Sequence, residues 1–547
     1  MLTSRPYLIK ELISSVISEH GENKALSFAG EQGITYSEMG KTIEALIAFM
    51  EKLGIQPQDK VIVYSQNMPN WCMTYLAIQY MGAVVVPVLP DFNAHELENV
   101  ITHCEAKAIF ISESLDYKLA KVENQPIDLI VRIDDFTLQS PSEFTFDPKA
   151  KSTKDYLPDE NALSVLLYTS GTTGNSKGVM LSQKNLLTNV YQCGDVYEVV
   201  QEDRALSVLP LSHTYENTVG FLYPLSKGAS ISYLRKPPTS PVLQAAMKAV
   251  KPTFMLTVPM IIEKVYTKSI LPTLNSKWLT RTLYKFRPTQ ILLSRLAGKK
   301  LYQTFGGHLQ FFGVGGAKLD ANVERFLLDA KFPVSIGYGL TETSPLLAGS
   351  APGIGKFQST GRTVSNCEVI IHNPDPKTGE GEIWARGNNV MLGYYKNEEI
   401  TKEVLSDDGW FKTGDLGNID KDGMLTHRGR IKSLIVGANG ENIYPEEIES
   451  LINKFDYVVE SVVVEKNNRL VALVHFNIED IENRIKQLKS ITLNDVDDFL
   501  SEHIPELKRH INSKVNKTSK IQDVIVHDEP FIRTATKKIK RFLYPKE

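Results

Sequence analysis

Between residues 55 and 115 short apolar runs alternate with helical patterns, and this alternation constrains the fold more than any other feature. Lys60-Val-Ile-Val-Tyr64 is followed by a helical pattern from Asn70 to Met81, then Ala83-Val-Val-Val-Pro-Val88, a second helical pattern and Ala108-Ile-Phe-Ile111. Apolar runs without polar alternation are buried on both faces, and strands separated by helices pair in parallel. The order therefore predicts βαβ units, with helices covering both faces of a sheet. A chain of 547 residues exceeds a single core and points to about three or four domain-sized units.

A second α/β region is expected around Tyr168–Met180, YTSGTTGNSKGVM, and onward to about Leu347. Phe254-Met-Leu-Thr-Val258 and Leu309-Gln-Phe-Phe-Gly313 read as its buried strands. The apolar run Ser164–Tyr168 reads as a strand, and Val179-Met-Leu181 as its successor across a loop. Between them Thr169, Ser170, Gly171, Thr172, Thr173, Gly174 and Lys177 combine hydroxyl donors, unhindered backbone N–H groups and one mobile positive charge. That inventory suits a polyphosphate. The spacing is not that of a Walker A loop, because Lys177 precedes Gly178 and the helix signal starts only near Ser182.

From about 350 to 430 short β-like runs and glycines predict a small β-barrel or sheet. After Arg430 the pattern becomes a helix from Pro445 to Lys454, strands at Ser461–Glu465 and Leu470–Phe476, two helical stretches and a basic tail, an α+β unit. The N-terminal twenty residues read as an amphipathic helix rather than a signal peptide, and no stretch approaches a membrane span. Cys72, Cys104, Cys193 and Cys367 are scattered and fit reduced thiols, with neither a disulfide framework nor a zinc site. The net charge of -3 selects no partner, so electrostatic clues are local. From Lys264 through Lys318 there is no acidic residue, while lysines and arginines alternate with Trp278, Leu279, Tyr284, Phe286, Leu292 and Leu293. Such a surface suits anionic lipid or an acidic partner.

Downstream of the loop, Gly315, Gly316 and Ala317 offer a backbone able to lie against a flat ring. Tyr338-Gly-Leu-Thr-Glu-Thr343 places Gly339, Thr341 and the hard carboxylate of Glu342 at the end of a strand-like run. Asp415 sits in Trp410–Gly417, where its carboxylate could accept from two ribose hydroxyls. Arg430 supplies a forked donor just before the composition changes, and Thr534–Arg541 brings a lysine cluster.

In their order YTSGTTGNSKGVM, LPLSHTYE, GGAKL, GYGLTET, GWFKTGDLG, RGRIKSLIVGANGENIYPEEIE and TATKKIK resemble the core motifs of the adenylate-forming superfamily, over nearly the whole chain. Pro252–Tyr266 and Leu296–Lys300 resemble its long-chain fatty acyl-CoA synthetases. The resemblance implies an α/β fold with a large N-terminal body, residues 1–430. The body would comprise two α/β subdomains and a β subdomain at about 350–430. A mobile α+β C-terminal domain, 432–547, would follow, with Lys432 as the hinge. It implies ATP and CoA as co-substrates, Mg²⁺ as cofactor and a fatty acid as substrate. No nucleic acid is among the implied partners.

The same resemblance assigns Lys538 to the carboxylate and α-phosphate, and Glu342 with Thr169 to Mg²⁺. Ser170 through Lys177 would wrap the phosphates, Gly315, Gly316 and Tyr338 would bracket adenine, and Asp415 with Arg430 would hold the ribose. His213, with Thr214, Tyr215 and Glu216, would shape the acyl opening, and Gly437 through Gly440 would approach the thiol channel. A glycine usually precedes the family's C-terminal lysine; here Lys537 stands there. The alternatives are a ligase with an acyl carrier protein as acceptor and an inactive nucleotide-binding homologue. The expected location is cytoplasmic or peripheral at the inner membrane surface; residues 264–318 offer a contact for lipid or for an acyl carrier protein, against the plainer reading of a solvated helix face.

Overall fold

The computed structural model describes residues 7–123, 127–140, 144–169, 177–436, 442–466, 469–486, 495–534 and 539–544. Ser170, Gly171, Thr172, Thr173, Gly174, Gly437, Gly440, Lys537 and Lys538 lie outside the described residues.

The α/β expectation holds, and the 60–111 alternation builds a sheet as anticipated. Lys60–Tyr64 pairs in parallel with Val84–Val88 on one side and Ala108–Ile111 on the other. Pro69–Tyr80 and Ala94–Cys104 are the crossover helices. The second of these starts at a reciprocal cap, in which Asn93 Oδ1 accepts from Glu96 N and Glu96 Oε2 from Asn93 N.

The strands flanking the phosphate-like loop belong to this same sheet, not to the second α/β region. Leu163–Thr169 lies beside Val84–Val88, with Val85 opposite Val165, and Lys177–Ser182 turns back antiparallel to it. The pairing is between segments far apart in the chain, and both runs are apolar enough to sit at a sheet centre. Ser182 then caps the helix Gln183–Gln192, its hydroxyl accepting from Asn185 N at 3.1 Å.

A second sheet has thirteen strands among the described residues. Its parallel part runs from Lys24–Phe28 through Ser230–Tyr233, Arg204–Leu206, Phe254–Thr257 and Phe311–Val314 to Val334–Gly339. From there the pairing turns antiparallel through Leu346–Gly349, Gly361–Thr363, Met424–Arg430, Phe411–Ile419, Gly381–Gly387 and Cys367–His372. The 350–430 region is thus a sheet joined edge to edge to the parallel one. Gly339 stands at the reversal, where an added Cβ would lie 1.8 Å from the Pro345 carbonyl oxygen, so no other residue fits.

Beyond Arg430, Val458–Lys466, Arg469–Phe476 and Asp523–Val526 form a three-stranded sheet packed by the helices Pro445–Ile452, Ile478–Lys486 and Asp495–Asn512. Among the described residues every buried apolar cluster draws on residues up to Leu425 or on residues from Ile435 onward, never on both. Polar side-chain pairs cross that line. Lys318 Nζ meets Glu447 Oε1 at 2.7 Å, Tyr444 donates its hydroxyl to Glu380 Oε2 at 2.7 Å, and Lys454 pairs with Asp320. No helix of the described residues is long and apolar enough to cross a membrane.

Candidate active site

Register explains how residues distant in sequence meet. Phe411–Ile419 and Met424–Arg430 form a hairpin in which Asp415 is directly opposite Arg430. A slip between Leu416 and Gly417 sets Gly417 opposite His427. Tyr338, on Val334–Gly339 of the same sheet, reaches the hairpin from the side. Its hydroxyl donates to Asp415 Oδ2 at 2.9 Å, and its ring stacks on His427 with centroids 5.3 Å apart.

Asp415 is 2% exposed, a costly place for a charge. Burial opposes its ionisation, but His427, Arg430 and the Tyr338 hydroxyl outweigh it and hold the carboxyl below the usual range. The Asp415 charge in turn raises the Arg430 guanidinium. Oδ1 lies 3.2 Å from Arg430 Nε and 3.8 Å from His427 Nε2, yet has hydrogen-bond geometry to neither. A buried, ionised acceptor without a donor is what an incoming hydroxyl group would complete.

Glu342 follows Tyr338 in the turn Thr341–Thr343. Tyr394 donates its hydroxyl to Glu342 Oε1 at 2.8 Å, and the Lys177 ammonium stands 4.8 Å above the Tyr394 ring. Thr169 is opposite Lys177 across the hairpin. Burial lowers the Lys177 pKa, with the positive charge of Lys432 adding to it and Glu342 opposing it. The structure therefore brings Thr169, Lys177 and Glu342 together around Tyr394. A half-buried carboxylate and a hydroxyl are hard oxygen donors that suit Mg²⁺, whose remaining positions are commonly filled by water and phosphate.

Gly315, Gly316 and Ala317 follow Phe311–Val314, the parallel neighbour of Val334–Gly339, so they come beside the end of that strand, where Tyr338 and Gly339 stand. Gly315 is buried, Gly316 and Ala317 are exposed, and Gly316 has φ +84°, which favours glycine. A Cβ at Gly315 would come within 3.1 Å of the Tyr215 ring, so glycine lets that ring close down. His213 is half-buried, and its Nδ1 accepts from Tyr215 N at 3.2 Å. Behind them lies a narrow cavity of about 30 Å³, bordered by Tyr215, Val219, Phe254, Gly313, Gly337 and Leu346. It has room for a water or two.

Thr214 and Glu216, each 1% exposed, are not among the residues bordering this cavity. Glu216 instead folds against Gly220 one turn along its own helix. Burial pushes its carboxyl up to about 8, with the Ser207 hydroxyl pulling the other way.

Tyr394 and His427 are the neighbours that sequence reasoning missed. Tyr394 follows Gly393 in an uncharged run, and only antiparallel pairing with Val179 brings it to Lys177. His427 lies three residues before Arg430 in the same short strand, where strict alternation would set the two on opposite faces, so spacing alone gave no signal for it.

A mouse long-chain-fatty-acid–CoA ligase is 27% identical, over 82% of this chain and 68% of that protein. A long-chain-fatty-acid–CoA ligase of Mycobacterium bovis is 28% identical, over 79% of this chain and 75% of its own. The solved O-succinylbenzoate coenzyme A synthetase of Bacillus subtilis, in complex with ATP and magnesium ion, superposes with a TM-score of 0.72 at 20% identity, covering 97% of this chain and 98% of that one. Residues 14–395 match the AMP-binding enzyme family, and the chain belongs to that family, within the adenylate-forming superfamily.

Proposed function

We propose that the chain is an AMP-forming acyl-CoA ligase acting on a fatty acid, long-chain by analogy with its relatives. In the first half-reaction a carboxylate oxygen attacks the α-phosphorus of ATP. The bond to the bridging oxygen breaks, and pyrophosphate leaves. In the second, the CoA thiol gives up its proton and attacks the acyl carbon, and AMP departs. The observation that carries this reading is Asp415, buried and ionised with Oδ1 lacking a hydrogen bond beside Tyr338 and Arg430. The two hydroxyls of a ribose supply the missing donors.

The remaining roles follow from charge. A carboxylate approaching a triphosphate needs positive charge placed where negative charge spreads in the transition state. Lys177 supplies it at the phosphates, and Lys538 matches the lysine that bridges carboxylate and α-phosphate. Mg²⁺ held by Glu342 and Thr169 would neutralise phosphate oxygens. Tyr394 orients Glu342 through its hydrogen bond, and Gly315, Gly316 and Tyr338 give adenine a flat wall. His213 and Tyr215 border the acyl opening, and the narrow cavity behind them widens when a chain enters. Lys432 is the hinge about which residues 432–547 turn between the half-reactions, bringing Gly437–Gly440 to the thiol.

Carboxylate-dependent exchange of pyrophosphate into ATP, across acids from acetate to oleate, tests the reading. Exchange with fatty acids and none without acid is expected. No exchange with any acid overturns it. Offering CoA and an acyl carrier protein side by side in a thioester assay decides the acceptor, with CoA expected.

A further inference from the structure

We propose that the outer face of the helices Trp278–Leu283 and Arg287–Thr304 docks on an anionic lipid bilayer. The first helix has no buried residue. Trp278 is 78% exposed, Leu296 62% and Phe286 61%, and Leu279 and Leu292 are more than half exposed. Large apolar side chains this bare, gathered in one segment, mark an interaction surface. In the second helix Leu292, Arg295, Leu296 and Lys299 recur at the spacing of a single face, and all four are exposed.

Charge complementarity selects the occupant. Lys264, Lys268, Lys277, Arg281, Lys285, Arg287, Arg295, Lys299 and Lys300 are all exposed, and no acidic residue falls within 264–318. Among the described residues only Arg287 of these nine cations makes an ion pair, donating to Asp329. The rest face solvent as a positive field that anionic headgroups would neutralise. Along the chain Trp278, Leu279, Phe286, Leu292 and Leu296 are interleaved with these cations. An acidic protein would meet the cations but leave the apolar tips wet, whereas a bilayer takes Trp, Phe and Leu side chains below the headgroup level.

The platform is rigid on its inner side. Ser294, Gly298 and Leu301 are buried, and a Cβ at Gly298 would sit 2.4 Å from that of Ala330, so this helix presses directly on its neighbour. Ile270, Leu274 and Leu301 share one apolar cluster with Phe312 and Val314, on the strand that leads into Gly315 and Gly316.

Co-sedimentation of the full chain tests the proposal without reference to its reaction. Vesicles of phosphatidylcholine mixed with phosphatidylglycerol should bind the protein, pure phosphatidylcholine vesicles should bind at least about tenfold less, and added salt should reverse binding. The triple variant Lys277→Glu, Arg281→Glu, Lys285→Glu, and separately Trp278→Ser with Phe286→Ser, should each weaken partitioning by about tenfold or more. Circular dichroism and Tm like those of the parent establish that both variants fold. Absence of binding by the parent, equal binding to both vesicle types, or full binding by both folded variants overturns the proposal. So does capture of a purified acyl carrier protein through this face in place of vesicles.

Discussion

The groups proposed to bind nucleotide and those proposed to complete the chemistry are held in different ways. Tyr338, Asp415 and Arg430 stand on strands of one hydrogen-bonded sheet, and their relative positions are set by register. The described residues from Ile435 onward pack around their own apolar clusters, and side-chain ion pairs and hydrogen bonds join them to the earlier residues. The first arrangement preorganises a binding surface. The second permits a unit to arrive and leave without breaking a core. A two-step reaction whose second nucleophile must replace the first group at the same place would need both.

Four substitutions test that contrast. Lys538→Ala removes the charge proposed to come from the C-terminal unit and should lower acid-dependent pyrophosphate exchange by about 10²–10³-fold while leaving nucleotide binding in place. Lys432→Pro locks φ at the connection and should leave exchange within about threefold, yet reduce thioester formation by about 10²-fold. Equal loss of both activities would remove the distinction between fixed and moving parts. Tyr394→Phe deletes the hydroxyl that orients Glu342, a change within the fixed half, and should cost about tenfold in kcat/KM for exchange and shift its magnesium dependence upward.

The smallest effect is expected at Glu216, buried in the fixed half and not proposed to touch substrate. Its carboxyl is raised to about 8 in the folded chain, so between the ordinary glutamate value and about 8 the folded state binds a proton that the unfolded state does not. Stability from this group is present below that window and is lost as pH rises through it. Glu216→Gln should therefore flatten the fall of Tm from about pH 5 to about pH 8, with little change in exchange. An unchanged slope would mean the carboxylate is ionised despite its burial.

Much of this was legible in local sequence. The strands around the phosphate-like loop, the cap at Ser182 and the strand–strand order after Ile435 follow from period and composition. Non-local pairing was not legible. Val85 meets Val165 and Leu26 meets Ile231 because apolar runs of similar length find one another in three dimensions, and nothing in the spacing selects those partners. Asp415 and Arg430 were each recognisable, yet their direct opposition depends on a hairpin register that the slip after Leu416 disturbs. Tyr394 was invisible for the same reason, since its importance comes from an edge pairing with Val179.

The polar seam between the residues up to Leu425 and those from Ile435 also bears on how the proposed rotation would respond to conditions. It would separate ion pairs such as Lys318–Glu447 and Lys454–Asp320 without dividing any apolar cluster, so its heat-capacity change would be small beside that of unfolding. Added electrolyte, which screens such pairs, would shift the population toward the rotated arrangement.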